Sequence, residues 1–394
     1  MIDNKKLPKI TSTFLIITNQ CNLACRYCFV HQNKENMTYE TALDAVNFLI
    51  RNSEIQNDTP SINFFGGEPL LRWNEIIVPL TKYIRDNYKK PFNLSMTSNC
   101  ILMTEEKLEF MKENNIGLLF SIDGDKITQD YNRPLHNDKS SFDILEPKIP
   151  IILKYYPNMT FRATIYEDTC QYTFKNMKFA VENGFNNMFF IPNVFNDWSD
   201  SNKAILKQQI KMFGDYFIEN ARNGKIIRLN NFDTEMFKIR RINDSIKNNT
   251  YRIGQNNAGY GKCGLGSSKF ASISTNGDLY GCQELVTNKD NGNFFYIGNI
   301  YTGVDEKSRY SLVEKYLRTE VNGLNCSTCK LDSICDGGCV ANNYIINNDI
   351  NKMPVMYCFW IQTLLDECIR VANVLGNEEN LLFRDKYFSA NARR

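Results

Sequence analysis

Three thiols stand close together in Cys21-Asn-Leu-Ala-Cys25-Arg-Tyr27-Cys28, just after the apolar run Phe14-Leu-Ile-Ile. Such spacing can wrap one loop around an iron–sulfur cube, filling three of its irons and leaving the fourth open to an outside ligand. An open iron is a reactive site. Three other readings compete. A structural zinc normally takes four ligands, and the nearest fourth is His31. A thioredoxin-like pair needs only Cys25 and Cys28 and leaves Cys21 idle. Disulfides need an oxidising compartment.

A second stretch, Gly66-Gly67-Glu68-Pro69, follows another apolar run. Its glycines let a backbone approach a ligand with no Cβ in the way. Its carbonyls and the Glu68 carboxylate can meet an ammonium group, and Pro69 fixes the exit. Alone, the same four residues read equally well as a turn.

Farther along come Cys263, Cys282, Cys326, Cys329, Cys335, Cys339 and Cys358. Asn276-Gly277 between the first two is a strong hairpin signal, expected to bring Cys263 and Cys282 to neighbouring positions. Read from the residues alone, two zinc sites compete with two iron–sulfur clusters here. Cys100, Cys170 and Cys368 remain; Cys368 continues the apolar pattern Ile361, Leu364, Leu365 and reads as a core thiol.

The chain of 394 residues is long enough for a full core and for two units. With 46 basic and 44 acidic residues, it advertises no face for a polyanion, so nucleic acid is not an expected partner. Thirteen cysteines are many for a chain whose opening Met1-Ile-Asp-Asn-Lys-Lys-Leu-Pro lacks a signal-peptide pattern. No apolar run approaches the roughly 18 residues of a membrane span. A cytoplasmic protein is expected, and there clustered thiols serve as metal ligands more often than as bridges.

Apolar and helix-period segments alternate from residue 13 to about residue 220, the pattern of βα units on a parallel sheet. Strands are expected at Phe14–Thr18, Ile62–Phe65, Leu94–Ser98, Leu118–Ile122, Thr160–Ile165 and Met188–Ile191. One helix is expected from the cap Thr38 with Ala42, Val46, Leu49 and Ile50 inward; a second buries Ile76, Ile77, Leu80 and Ile84; a third follows Thr104 and buries Leu108 and Met111. The fold class is α/β, a partial (β/α)₆ TIM-like barrel over residues 1–220. Residues 221–262 read as a bridge, with Arg240 to Asn257 as a surface connection, and residues 263–394 as a smaller cluster-binding domain. Ligands gather at the carboxyl ends of parallel strands. The early cysteines, the Gly-Gly-Glu-Pro stretch, Ser98-Asn99 and Ser121 to Gly124 all fall there.

The cysteine loop after strand one, joined to Gly66-Gly67-Glu68-Pro69 after strand two, resembles the radical SAM superfamily, and the later cysteines resemble its SPASM-containing branch of peptide and protein maturases. The resemblance implies three [4Fe–4S] clusters and S-adenosylmethionine. It assigns Cys21, Cys25 and Cys28 to the first cluster, Cys263, Cys282 and Cys339 to one auxiliary cluster, and Cys326, Cys329, Cys335 and Cys358 to the other. Seven auxiliary ligands leave one iron open, a place for a substrate thiolate. By the same resemblance, Gly66, Gly67 and Glu68 hold the amino group of S-adenosylmethionine. Ser98, Ser121, Arg133 and Arg162 are candidates for its ribose and carboxylate, and the Tyr27 backbone for its adenine.

The implied chemistry is reductive cleavage of the sulfonium to a 5′-deoxyadenosyl radical that removes a hydrogen atom from substrate. The favoured product is a thioether crosslink in a ribosomally made, cysteine-containing peptide. A sulfatase maturase is the alternative; that group carries Asp after the second SPASM cysteine, where this chain has Gln283. Glu284 is a weak candidate base. A non-catalytic iron–sulfur or zinc scaffold is the remaining reading, and Gly66-Gly67-Glu68-Pro69 argues against it. The expected partners are a peptide or protein substrate and a one-electron donor such as flavodoxin or ferredoxin. Only twenty residues precede Cys21, so leader recognition is expected on the barrel, the SPASM surface or a separate protein.

Overall fold

The structure is a computed structural model describing residues 7–248, 269–286, 292–314, 320–321, 324–325, 329, 335 and 337–389. Six strands run in βα order: β1 (Ser12–Thr18), β2 (Ser61–Gly66), β3 (Asn93–Ser98), β4 (Ile116–Phe120), β5 (Thr160–Ile165) and β6 (Asn187–Pro192). β1 to β4 pair in parallel in sequence order, as do β5 and β6. Between β4 and β5 the ladder thins to a single bridge from Ser121 to Arg162, with the Ile122 N–H donating to the Arg162 carbonyl at 3.1 Å. The barrel is therefore open and partial.

The helices form where side-chain caps and apolar spacing coincide. α1 (Tyr39–Gln56) starts at Thr38, whose side chain accepts from the Thr41 N–H, and it buries Ala42, Val46 and Leu49. α2 (Val78–Asn87) and the π-turn before it bury Ile76, Ile77, Leu80 and Ile84. α3 (Glu105–Glu113) is capped by Thr104 and buries Leu108 and Met111. α4 (Lys126–Asn132), α5 (Ile149–Tyr155) and α6 (Thr173–Glu182) complete the outer layer.

β1 is not an edge. Its free side is taken by β7 (Phe270–Ile273), which pairs with it in parallel from Ser12 opposite Phe270 to Leu15 opposite Ile273. β7 turns at Asn276-Gly277 into β8 (Asp278–Tyr280), and β9 (Tyr296–Asn299) and β10 (Gly303–Val304) continue the sheet. Gly277 has φ +87°, the left-handed conformation this hairpin requires.

The bridge region departs from expectation. α7 (Asp200–Arg222) leads into it, and a further helix, α8 (Asn230–Lys247), includes residues read from sequence as the start of a surface connection. Its charged composition hid an inner face: Phe232 and Met236 are fully buried, and α8 packs on β6 and on the long helix α9 (Val355–Asn377). Residues 249–257, the rest of the expected connection, lie outside the described residues. α9 also packs on α7, burying Leu364, Leu365 and Cys368 as the pattern predicted.

Phe161 on β5 shows how the thinner half is held. Fully buried, it stacks on Phe190 with ring centroids 5.6 Å apart and meets Phe185 edge-on at 5.0 Å. Phe161→Ala should cost about 3–5 kcal/mol by removing this packing, measurable as a lowered denaturation midpoint in urea.

Candidate functional site

The site begins where β1 and β2 end. Gly67 N–H donates to the Thr18 carbonyl at 2.9 Å, and Glu68 N–H to the Gln20 carbonyl at 2.8 Å. The Gly-Gly-Glu-Pro loop is thus zipped onto the backbone leading into Cys21. A Cβ on Gly66 would lie 2.1 Å from the Thr18 oxygen, and one on Gly67 2.1 Å from the Gln20 oxygen. Expected to make room for a ligand, these glycines first make room for the neighbouring main chain. Gly66 also has φ +139°.

On its other side the cysteine loop pairs with the segment after α4. Ala24 N–H donates to the Pro134 carbonyl at 2.8 Å and Arg26 N–H to the Asn132 carbonyl at 3.0 Å. The His136 ring meets the Cys21 carbonyl at 2.9 Å. No motif in the sequence marked residues 131–136 as a platform; the cue was only their place after strand four.

Between these supports lies a cavity of about 340 Å³. Cys21, Cys25 and Cys28 line it, as do Tyr27, Gly66, Gly67, Glu68, Ser98, Ser121, Arg133 and Arg162, so all the early candidates share one space. His31 is exposed and is not among the lining residues. Burial pushes the Cys21 and Cys25 thiols up to about 12, and Cys28 upward as well. Metal coordination is what deprotonates such thiols.

The donor set fits a cysteine-ligated cluster. Cys21 Sγ accepts from the Leu23 N–H at 3.4 Å and lies 3.7 Å from Asn99 Nδ2, the N–H environment a thiolate ligand favours.

Several candidates have protein partners. The Glu68 carboxylate accepts from Leu70 N–H at 3.0 Å, Ser98 Oγ at 2.8 Å and Asn99 N–H at 2.8 Å. A carboxylate has about four acceptor positions, which leaves room for one further donor. Burial pushes this carboxyl up to about 6 against the pull of those bonds. The Ser98 hydroxyl also accepts from Cys100 N–H at 2.9 Å, so it works within the strand ends.

Asp123 is the hub that sequence reading underrated. Almost wholly buried, it accepts from Tyr27 Oη at 2.5 Å, Asn132 Nδ2 at 3.1 Å and Thr164 N–H at 3.0 Å. Arg133 Nε lies 3.2 Å from its Oδ1, and the guanidinium sits 5.5 Å from the Tyr27 ring centre. Arg162 projects over the Phe189 ring at 4.4 Å, and burial depresses its pKa.

A second cavity, about 410 Å³, is lined by Cys282 and Cys339 together with Ser61, Asn63 and Ser95 from the sheet interior. Phe14, Gln283 and Glu284 line both cavities. Glu284 Oε2 is buried without a hydrogen-bond partner among the described residues, and burial pushes the carboxyl up to about 7 while Arg162 draws it down. Cys335 packs with Met353 and Ile361 against Cys358, a separate cluster of residues. Gly337 N–H points to Cys335 Sγ at 3.4 Å and Gln362 Nε2 to Cys358 Sγ at 3.2 Å. Cys329 is partly buried, and Cys263 and Cys326 lie outside the described residues. Cys100, Cys170 and Cys368 are fully buried and line neither cavity.

Gly67→Ala should separate the two zipped loops. The expected result is loss of iron loading at the first cysteine site with far-ultraviolet circular dichroism unchanged, read by iron analysis after anaerobic reconstitution.

Residues 15–207 match the Radical SAM superfamily model. Over 153 residues the chain is 38% identical to an uncharacterized protein, MJ0907, of Methanocaldococcus jannaschii; that match covers 38% of this chain and spans half of that relative's length. The radical SAM cyclopropyl synthase TigE of Paramaledivibacter caminithermalis is 25% identical over 357 residues, 84% of this chain and 68% of that protein. A cysteine-type anaerobic sulfatase-maturating enzyme of Clostridium novyi is 23% identical over 343 residues, 82% and 86% of the two chains.

Among solved structures, anSMEcpe with bound AdoMet and Cp18Cys peptide superposes with a TM-score of 0.72 at 21% identity, covering 93% of this chain and 99% of that one. Streptococcus suis SuiB bound to precursor peptide SuiA gives 0.58 at 17%, covering 89% and 76%. These likenesses are of fold. The cysteine loop and the Gly-Gly-Glu-Pro loop both fall inside the matched segment, and the chain carries a radical SAM domain over residues 15–207, the kind of domain that takes a [4Fe–4S] cluster and S-adenosylmethionine.

Proposed function

We propose that this protein is a radical SAM peptide maturase that joins a cysteine sulfur to a carbon of a ribosomally made peptide, forming a thioether. The observation that carries this reading is the pair of adjoining cavities, with the cysteine trio in one, Cys282 and Cys339 in the other, and Phe14, Gln283 and Glu284 in both. A substrate reaching across that junction meets both the radical source and a second cysteine site.

When bound, the cluster and S-adenosylmethionine supply a 5′-deoxyadenosyl radical that takes a hydrogen atom from the peptide. The residues of the chain hold and orient. Cys21, Cys25 and Cys28 ligate the first cluster. Gly66, Gly67 and the remaining acceptor of Glu68 hold the amino group, Arg162 with Ser121 the carboxylate and ribose, and the Tyr27 backbone the adenine. Arg133 and Ser98 fix the walls through Asp123 and Glu68.

Cys263, Cys282 and Cys339 hold one auxiliary cluster, and Cys326, Cys329, Cys335 and Cys358 the other, making three in all. Glu284 offers the peptide a polar contact. The peptide loses two hydrogens over the reaction: one atom leaves in 5′-deoxyadenosine, and the thiol gives up its proton to solvent. The remaining electron leaves with an external one-electron acceptor. A flavodoxin or ferredoxin supplies the electron that starts the cycle, and a separate protein or the surface of this chain holds the leader.

SuiB, solved with its precursor peptide, supports a peptide substrate. The similarity to the Clostridium novyi enzyme favours a second reading, oxidation of a sulfatase cysteine. Gln283 after Cys282, in place of Asp, counts against it.

Anaerobic reconstitution should give about twelve irons per chain, four for each cube, and reductant should release 5′-deoxyadenosine. A cysteine-rich peptide encoded nearby should lose two hydrogens and one titratable thiol by mass spectrometry. Formylglycine in a sulfatase peptide would establish the second reading, and zinc without cleavage would leave only a scaffold. Cys282→Ala should abolish peptide modification while retaining some release of 5′-deoxyadenosine.

A further inference from the structure

Asn99, the residue after β3, lies between the two loops that form the first site. Its backbone N–H donates to Glu68 Oε2 at 2.8 Å, and its side-chain Oδ1 accepts from the Ile101 N–H at 3.0 Å. That fixes the direction of the amide. Nδ2 then points into the cysteine loop, 2.8 Å from Asn22 Oδ1 and 3.7 Å from Cys21 Sγ. Only 6% of the residue is exposed. Asn22 presents its Oδ1 to Asn99, while its own Nδ2 is buried without a hydrogen-bond partner among the described residues.

We infer that Asn99 is a positioning residue for the first cluster: its amide fixes Cys21 and donates an N–H to the ligating sulfur, coupling the loop that holds S-adenosylmethionine to the loop that holds iron. This rests on the proposed assignment of Cys21 as a cluster ligand. Reduction adds negative charge that spreads onto the cysteine sulfurs, so an N–H aimed at one of them stabilises the reduced form more than the oxidised form and raises the potential. The Glu68 contact runs through the main chain and survives any change of side chain.

The test compares wild type with Asn99→Asp and Asn22→Ala, each reconstituted as the full chain. Asn99→Asp is nearly isosteric and keeps an acceptor for the Ile101 N–H but adds a carboxylate beside Cys21, so the neutral Asn99→Ser, which also lacks the amide donors, is titrated beside it and should shift the same way. Iron content, thermal melts and redox titrations are recorded, following the electron-paramagnetic-resonance signal that changes when S-adenosylmethionine is added. That response separates the first cluster from any other. Asn99→Asp should load iron like wild type yet be about tenfold harder to reduce, a shift of about 59 mV for one electron. Asn22→Ala should shift the same way by less.

A wild-type midpoint in Asn99→Asp overturns the inference. So does a loss of iron matched by a lowered melt of the apoprotein, the mark of a residue that only supports the fold. A wild-type protein with no signal responsive to S-adenosylmethionine would instead remove the cluster assignment on which the inference rests.

Discussion

Two main-chain hydrogen bonds, from Gly67 to Thr18 and from Glu68 to Gln20, constrain everything around them. They draw the exits of β1 and β2 so close that a side chain on either glycine would collide with a carbonyl. The thiols are consequently presented from a loop braced along its length, with the segment after α4 closing the opposite side. A loop of this composition left to itself would be among the less ordered parts of a protein. Here backbone hydrogen bonds tie it to the chain on both sides.

Charge is handled by a similar economy of placement. Asp123 is buried but meets three hydrogen-bond donors and the Arg133 guanidinium, so one carboxylate orients Tyr27, Arg133 and the start of the link to β5. Glu68 does the same for β2 and β3. An unpaired carboxylate at either position would carry a large desolvation cost. Each is instead a joint between strand ends, and the cavity walls are rigid because their polar groups are committed to one another.

Much of this was legible in the sequence. Alternating apolar runs located β1 to β6 to within a few residues, and Thr38 and Thr104 marked helix starts because their hydroxyls satisfy free N–H groups. The early cysteines and Gly66-Gly67-Glu68-Pro69 pointed to one rim, where they share a cavity. What stayed hidden depends on distant partners. The role of Asp123 as hub comes from Tyr27, Asn132, Arg133 and Thr164, which no local pattern connects. α8 was obscured because its charged residues outnumber the few apolar ones that pack on β6 and α9. The bonding of Asn99 to Asn22 and Cys21 likewise needed three dimensions.

The pairing of β7 with β1 places the last-made strand of that central pair beside the first-made one. During synthesis, β1 can gain β2 early but has no neighbour on its other flank until Phe270 and the residues after it have left the ribosome. Domains generally fold as units as they emerge, yet here the half that carries the cysteine loop lacks one strand of its sheet for most of translation. Until the sheet is complete, that flank of β1 is a bare strand edge, open to mispairing in the interval.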